Sequence, residues 1–370
     1  MKRIMLIFGT RPEAIKMCPL VCELKKHADK FETLVCVTGQ HREMLDQVLE
    51  VFHVIPDYDL SIMKKGQDLF DITNVILSKL QNLLEETKPD LVLVHGDTTT
   101  SFASGLAAFY KKIPVGHVEA GLRTNNLYSP WPEEFNRQAV DIFSELYFAP
   151  TRNSKDNLLK EGKCNEKVFV TGNTSIDALR YTVKKSYKNS ILEWVGADKF
   201  ILLTAHRREN LGKPLINIFN AVRELLEKYE DLKVIYPIHM NPEIRKSAEK
   251  ILGGVDRVKI IPPLDVIAFH NLMGKSYLIM TDSGGVQEEA PSLGKPVLVL
   301  RDTTERPEGV AAGTLKVVGT SVECIVDSVA SLIENSAEYM KMAEAKNPYG
   351  DGFASFKIVK IIEEYFDKNK

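Results

Sequence analysis

Short apolar runs rich in β-branched residues alternate along the chain with longer amphipathic stretches. The short runs predict strands near residues 3–8, 32–38, 90–95, 114–119, 146–149 and 168–172. The amphipathic stretches between them predict helices near 13–27, 44–52, 68–86, 99–110, 132–144 and 153–161. After a polar stretch near 181–190 the pattern restarts, with strands near 200–203, 233–238, 258–261, 277–280, 297–300 and 315–318 and helices near 214–229, 241–251, 266–273 and 286–293. Buried strands that alternate with helices imply parallel sheets covered on both faces. The fold expected is therefore α/β, with two doubly wound domains facing a central cleft. The N-terminal domain is placed at 1–172 and the C-terminal, nucleotide-binding domain at 173–353; a last helix at 354–370 has no strand after it and is expected to complete the first domain.

In doubly wound sheets ligands bind beyond the carboxyl ends of the strands, so the informative residues are those just after each strand. In the first half these are Gly9-Thr10-Arg11-Pro12-Glu13 with Lys16 one turn on, His95-Gly96-Asp97-Thr98-Thr99, and His117-Val118-Glu119-Ala120-Gly121-Leu122-Arg123. A loop then carries Pro132-Glu133-Glu134 and Arg137. In the second half they are Thr204-Ala205-His206-Arg207-Arg208-Glu209-Asn210 and His239-Met240-Asn241-Pro242. A further strand runs into Thr281-Asp282-Ser283 and the turn Gly284-Gly285, where a tight backbone and helix-start N–H groups favour an anion. Glu288 and Glu289 lie one turn further in, within reach of ribose hydroxyls, and Arg306 follows the next strand. Plainer readings stand beside these. Asp97 and Thr98 also suit a helix N-cap, Glu133 and Glu134 suit a first helical turn, and His95 and His117 suit structural hydrogen bonds at strand ends. Glu119 ends an apolar strand, where an unpaired carboxylate is costly, so a functional role is favoured.

Composition removes whole classes of function. A formal net charge of −2 lacks the dominant basic field of a nucleic-acid or membrane-surface protein, so neither partner is expected. Any phosphate must then be held by a few placed residues. The five cysteines are scattered and odd in number, as in a reduced, cytoplasmic protein. His117-x-Glu119 is not followed by Pro-Cys-x-x-Cys and no His-Glu-x-x-His occurs, so no metal is expected. The first strand is too short, and too soon followed by Gly9-Thr10-Arg11-Pro12, for a signal peptide or membrane span.

Seven motifs, spread in order over nearly the whole chain, carry a resemblance: Phe8-Gly9-Thr10-Arg11-Pro12-Glu13-Ala14-Ile15-Lys16, His95-Gly96-Asp97-Thr98, Val118-Glu119-Ala120-Gly121-Leu122-Arg123-Thr124, Pro132-Glu133-Glu134, Thr204-Ala205-His206-Arg207-Arg208-Glu209-Asn210, Asp282-Ser283-Gly284-Gly285 and Thr304-Glu305-Arg306-Pro307-Glu308. Together they resemble the non-hydrolysing UDP-N-acetylglucosamine 2-epimerases. The resemblance implies two Rossmann-like domains in a GT-B-like arrangement, a homodimer, and interconversion of UDP-GlcNAc and UDP-ManNAc with no added cofactor. It implies anti elimination of UDP to 2-acetamidoglucal and re-addition, with ManNAc supplied to surface polysaccharide. A GT-B UDP-sugar glycosyltransferase and a hydrolysing 2-epimerase remain the alternatives.

Carried over by position, Asp97, Glu119 and Glu133 match the catalytic carboxylates, and His206 a residue needed for activity that meets the diphosphate. Arg11, Lys16 and Arg137 match cations of the substrate site. Ser283, Gly284 and Gly285 match the diphosphate turn, Glu289 a ribose contact, Arg306 a nucleotide contact and Phe269 a residue beside the uracil. Many bacterial members bind a second, activating UDP-GlcNAc through residues matched here by Gln40, Arg207 and His239. Two further activator positions, usually Gln and Arg, fall at Glu43 and Gly66. A carboxylate repels a diphosphate sugar and glycine offers it no side chain, which argues against activation by substrate in this chain.

Overall fold

The computed structural model describes residues 1–39, 42–64 and 66–368. Contacts divide the chain into two compact units, one of Met1–Tyr181 with the segment from Tyr349 onward, the other Thr182–Pro348. The first holds strands β1 (Lys2–Phe8), β2 (Phe31–Val37), β3 (Tyr58–Asp59), β4 (Leu91–His95), β5 (Val115–Val118), β6 (Leu146–Ala149) and β7 (Val168–Val170). The second holds β8 (Lys199–Thr204), β9 (Leu232–Pro237), β10 (Val258–Ile261), β11 (Leu278–Thr281), β12 (Val297–Val299) and β13 (Leu315–Val317). All pairings are parallel, in the orders β3-β2-β1-β4-β5-β6-β7 and β10-β9-β8-β11-β12-β13. Each sheet is doubly wound, and its strand order reverses beside its first strand: between β1 and β4 in one, between β8 and β11 in the other. Such a reversal opens a crevice at the carboxyl ends of the two strands.

Both faces of the first sheet are buried, for the reason its sequence suggests. Ile4, Leu6 and Phe8 of β1 enter one apolar cluster, and Met5 and Ile7 point into another on the opposite face. The C-terminal helix Ala354–Lys368 adds Ile358, Val359, Ile362 and Phe366 to the cluster that also contains Leu20 and Leu24 of helix Arg11–Lys25. Asp177 fixes where that last helix begins, accepting from the N–H groups of Ala354 (3.0 Å) and Ser355 (2.7 Å).

Every strand expected from the pattern is present within a residue or two, and β3, two residues long, is an addition. Helices Thr174–Thr182, Ser190–Val195, Val322–Glu334 and Ser336–Ala343 were not anticipated. Val322–Glu334 buries Ile325, Val326, Val329 and Leu332 at ordinary helical spacing, so its signal lay in the sequence unread. The helix expected over 286–293 is an α-helix at Gly284–Glu289 followed by a 3-10 turn at Ala290–Leu293, which contains Pro291.

Candidate active site

At the first crevice, helix Arg11–Lys25 starts on a capping box in which Thr10 accepts from the Glu13 N–H and the Glu13 carboxylate reaches back to the N–H of Thr10 (2.8 Å). The same carboxylate accepts from Gly9 N–H (3.1 Å) and from the Thr98 hydroxyl (2.7 Å). Fully buried Glu13 thus ties the loop after β1 to the loop after β4; its pKa is raised by burial, against the pull of these donors. Arg11 stands half-buried at the start of this helix, and Lys16 follows one turn on.

The cap of helix Thr99–Tyr110 is Thr98, which accepts from the Ser101 N–H, and not Asp97. Released from capping, the Asp97 carboxylate pairs with Arg137, while its backbone carbonyl accepts from Asn136 Nδ2 (2.9 Å). Arg137 also reaches Glu134 at 3.2 Å. The adjacent acids of helix Glu133–Phe143 differ completely. Glu134 is fully buried and accepts from the N–H groups of Thr124 and Asn125 (3.1 Å each) and from Gln138 Nε2 (2.8 Å), which makes it structural. Glu133 is half-exposed at the helix start.

Glu119 follows β5 with φ +69°, a left-handed backbone that a residue with a Cβ adopts at a cost of roughly 1–2 kcal/mol. Its carboxylate pairs with Lys16 and accepts from Asn173 Nδ2 at 2.8 Å. An observed strain of this kind, at a charged residue in a crevice, is a mark of function. His95 Nε2 lies 3.7 Å from Glu119 Oε2, is buried, and has no hydrogen-bond partner. Burial holds His95 neutral, lowering its pKa to about 3 despite the nearby carboxylate. At 3.7 Å the Glu119 carboxylate is too far to hydrogen-bond His95 Nε2. His117 does make structural bonds, to Asp141 Oδ1 (2.6 Å) and to the Gly96 carbonyl (2.8 Å).

The second crevice is organised by Asp282, a residue of the anion-favouring turn to which its motif alone gives no role of its own. Asp282, at the end of β11, has a fully buried side chain, and its Oδ2 accepts from the N–H groups of His206 and Arg207 (2.8 Å each) and from Asn210 Nδ2 (3.0 Å). Its Oδ1 is 3.3 Å from His206 Nδ1. The loop after β8 is thereby pinned to the loop after β11. Burial lowers the pKa of His206, opposed by Asp282 and aided by His239 and Arg207; the His206 and His239 rings stack at 5.7 Å.

Ser283 precedes helix Gly284–Glu289 without capping it, so its hydroxyl leaves the first N–H groups of the turn to other acceptors. A Cβ on Gly284 would lie 3.4 Å from Arg306 Nη2 and 3.8 Å from Arg207 Nη2, whereas one on Gly285 would meet nothing within 4 Å. Two guanidinium groups thus close on Gly284, and Gly285 borders open space. Arg306 is held by the buried carboxylate of Glu288, so Glu288 serves as its anchor. Glu289 lies 3.4 Å from His270 Nε2, next to half-buried Phe269. Arg301, unread in the sequence, pairs with Glu209 and Glu305 beneath this loop.

Of the candidate activator residues, Arg207 and His239 belong to this cluster. Gln40 lies outside the described residues, and Glu43 is in helix Arg42–Val51. Gly66 is exposed at φ +80° with nothing within 4 Å of an added Cβ. Among the described residues no group of three His, Cys, Asp or Glu side chains could hold a metal ion, and no helix is long and apolar enough to cross a membrane.

Comparison with known proteins gives one answer. The chain matches the UDP-N-acetylglucosamine 2-epimerase family over residues 23–363. It is 60% identical over 368 residues to a UDP-N-acetylglucosamine 2-epimerase of Bacillus subtilis, covering 100% of this chain and 97% of that one. Among solved structures it is similar to S. aureus MnaA in complex with UDP (TM-score 0.91, 55% identity, 99% and 97% of the two chains covered). It is also similar to the Neisseria meningitidis UDP-GlcNAc 2-epimerase bound to UDP-GlcNAc (TM-score 0.88, 53% identity, 98% and 100% covered).

Proposed function

The chain belongs to the UDP-N-acetylglucosamine 2-epimerase family, and we propose that it interconverts UDP-GlcNAc and UDP-ManNAc by anti elimination and re-addition of UDP, without hydrolysis. The proton at sugar C2 is not next to a carbonyl, so direct removal would be very slow. Departure of UDP from C1 builds positive character there and acidifies the C2 proton. The base takes that proton, the C1–O bond breaks, and UDP and 2-acetamidoglucal remain. Return of UDP to C1 with protonation of C2 on the opposite face gives the epimer. The chemistry needs one base, one acid and a group that steadies the departing diphosphate.

The observation that carries this reading is Glu119 in its strained, left-handed backbone, paired with Lys16 and bonded to Asn173. Asp97 and Glu133 complete the acid/base set, with Arg137, Lys16 and Arg11 as the cations around them. In the second unit His206, with Ser283, Gly284, Gly285 and Arg306, holds the diphosphate, Glu289 the ribose and Phe269 the base; the two guanidinium groups on Gly284 support that assignment. The reading extends to a cytoplasmic homodimer that supplies ManNAc for surface polysaccharide. Exposed Phe109 and Tyr110, with ring centroids 6.4 Å apart, offer apolar area to a second copy.

Incubation with UDP-GlcNAc in D2O, followed by proton NMR, tests the reaction. UDP-ManNAc should appear with deuterium at C2, and the recovered substrate should gain deuterium with time. Free sugar as the product, or protium retained at C2, would overturn the mechanism.

A further inference from the structure

Beneath the two carboxylate loops of the first unit lies a chain of polar groups that the reaction does not itself use. The side chains of His117, Asp141 and Arg123 are 0%, 1% and 2% exposed. Both ring nitrogens of His117 are engaged, Nδ1 with the Asp141 carboxylate and Nε2 with the Gly96 carbonyl. Asp141 accepts from it through Oδ1 (2.6 Å) and from Arg123 Nη2 through Oδ2 (2.7 Å). The pairing with His117 and Arg123 keeps the Asp141 carboxylate below its usual range although burial pushes the other way. Arg123 continues to Glu161 at the surface.

What this chain holds is backbone. His117 Nε2 donates to the carbonyl of Gly96 (2.8 Å), the residue before Asp97, where the backbone is left-handed at φ +62°. Arg123 Nη1 donates to the carbonyl of Leu122 (2.7 Å), in the loop that Glu119 begins. Gly121 in that loop, at φ +84°, has no room for a Cβ, which would lie 2.2 Å from the Ser154 carbonyl. Asp141 sits on helix Glu133–Phe143, whose Asn136 and Arg137 hold Asp97 directly. Buried ion pairs are often replaceable by apolar groups without loss of stability, so stability alone does not account for this buried polar network.

We propose that the His117–Asp141–Arg123 triad is a positioning device, which sets Asp97 through the Gly96 carbonyl and Glu119 through the Leu122 carbonyl. The proposal rests on the reading of Asp97 and Glu119 as the acid/base pair. Misplacement of a catalytic group by about 1 Å can lower the rate about 10²-fold while substrate binding is spared.

Three substitutions at His117 test it. A glutamine amide nitrogen reaches the place of Nε2 and keeps the bond to Gly96. Asparagine keeps only the bond to Asp141, and methionine fills the volume with neither. His117→Asn and His117→Met should lose kcat about 10²-fold with KM changed no more than about threefold, whereas His117→Gln should keep kcat within about tenfold. Calorimetry with UDP and thermal unfolding identify folded variants, and either Asn or Met suffices if the other does not fold. Equal kcat for all three variants, or a rise in KM alone, would overturn the positioning role. Asp97→Asn run alongside separates the two claims: if it is fully active, the acid/base reading falls. An inactive Asp97→Asn beside an active His117→Asn overturns the triad's role alone.

Discussion

The two crevices share a topology and differ in chemistry. In the first, carboxylates end the strands and each meets a cation or amide: Glu119 with Lys16 and Asn173, Asp97 with Arg137. In the second, buried Asp282 spends hydrogen bonds on the backbone of the His206–Arg207 loop, buried Glu288 holds Arg306, and guanidinium groups face the Gly284 turn. On the proposed reading the first moves protons and the second holds an anion still. A doubly wound sheet offers the same crevice twice, and the residues at its rim decide its use.

The contrast is tested most strongly by removing acids from the first unit. Glu119→Gln and Asp97→Asn should each lose about 10²-fold or more in turnover, with UDP affinity close to that of the parent. A near-normal rate in either would return that residue to the scaffold. In the second unit the pattern should invert. Arg306→Ala and Glu289→Ala each remove a charged hydrogen bond worth about 1.5–3 kcal/mol, so UDP should bind roughly tenfold to a hundredfold more weakly, by calorimetry, than it does to the parent. Arg306→Ala also removes the ion pair with buried Glu288 and should be the less stable of the two. Unchanged UDP affinity in both variants would mean that the nucleotide lies elsewhere.

A smaller effect separates the histidines. With a folded pKa near 3 and an ordinary value of 6.5, His95 stays neutral in the folded chain while the unfolded chain takes up a proton below pH 6.5. Its contribution to stability is full above that pH and falls by about 1.4 kcal/mol per pH unit as pH drops from 6.5 toward 3. Denaturant unfolding as a function of pH should show a slope shallower by about one proton in His95→Gln. An identical slope would mean that His95 is charged in the folded state. His206, more exposed, should contribute less.

The finest distinction is kinetic. If Glu43 and Gly66 disable an activating second site, the forward rate should be near hyperbolic in UDP-GlcNAc, and UDP-ManNAc alone should react. Strong sigmoidicity, with no reverse reaction until a trace of UDP-GlcNAc is added, would show that the second site works.

Much of the architecture was legible because period and chemistry agree locally. β-Branched runs mark buried strands, and polar loops after them mark the rims. What escaped was whatever depends on distant partners. Thr98 rather than Asp97 caps its helix, and Glu134 rather than Glu133 is buried by three donors from elsewhere in its loop and helix. Adjacent residues of the same type look alike in sequence, and only the direction of each side chain separates them.

The amino-acid sequence by itself determined the strand-helix alternation, the two parallel sheets and the identity of the rim residues, because these follow from short-range periodicity and from residue chemistry. Only the tertiary structure decided which ionisable groups are neutralised by burial, which are paired, and which backbone is strained. His95 lost its charge, Asp282 became the pin of a loop, and Glu119 was held at positive φ through contacts between residues far apart in the chain. Desolvation and pairing act through space, and no local pattern encodes the neighbour that a side chain will meet.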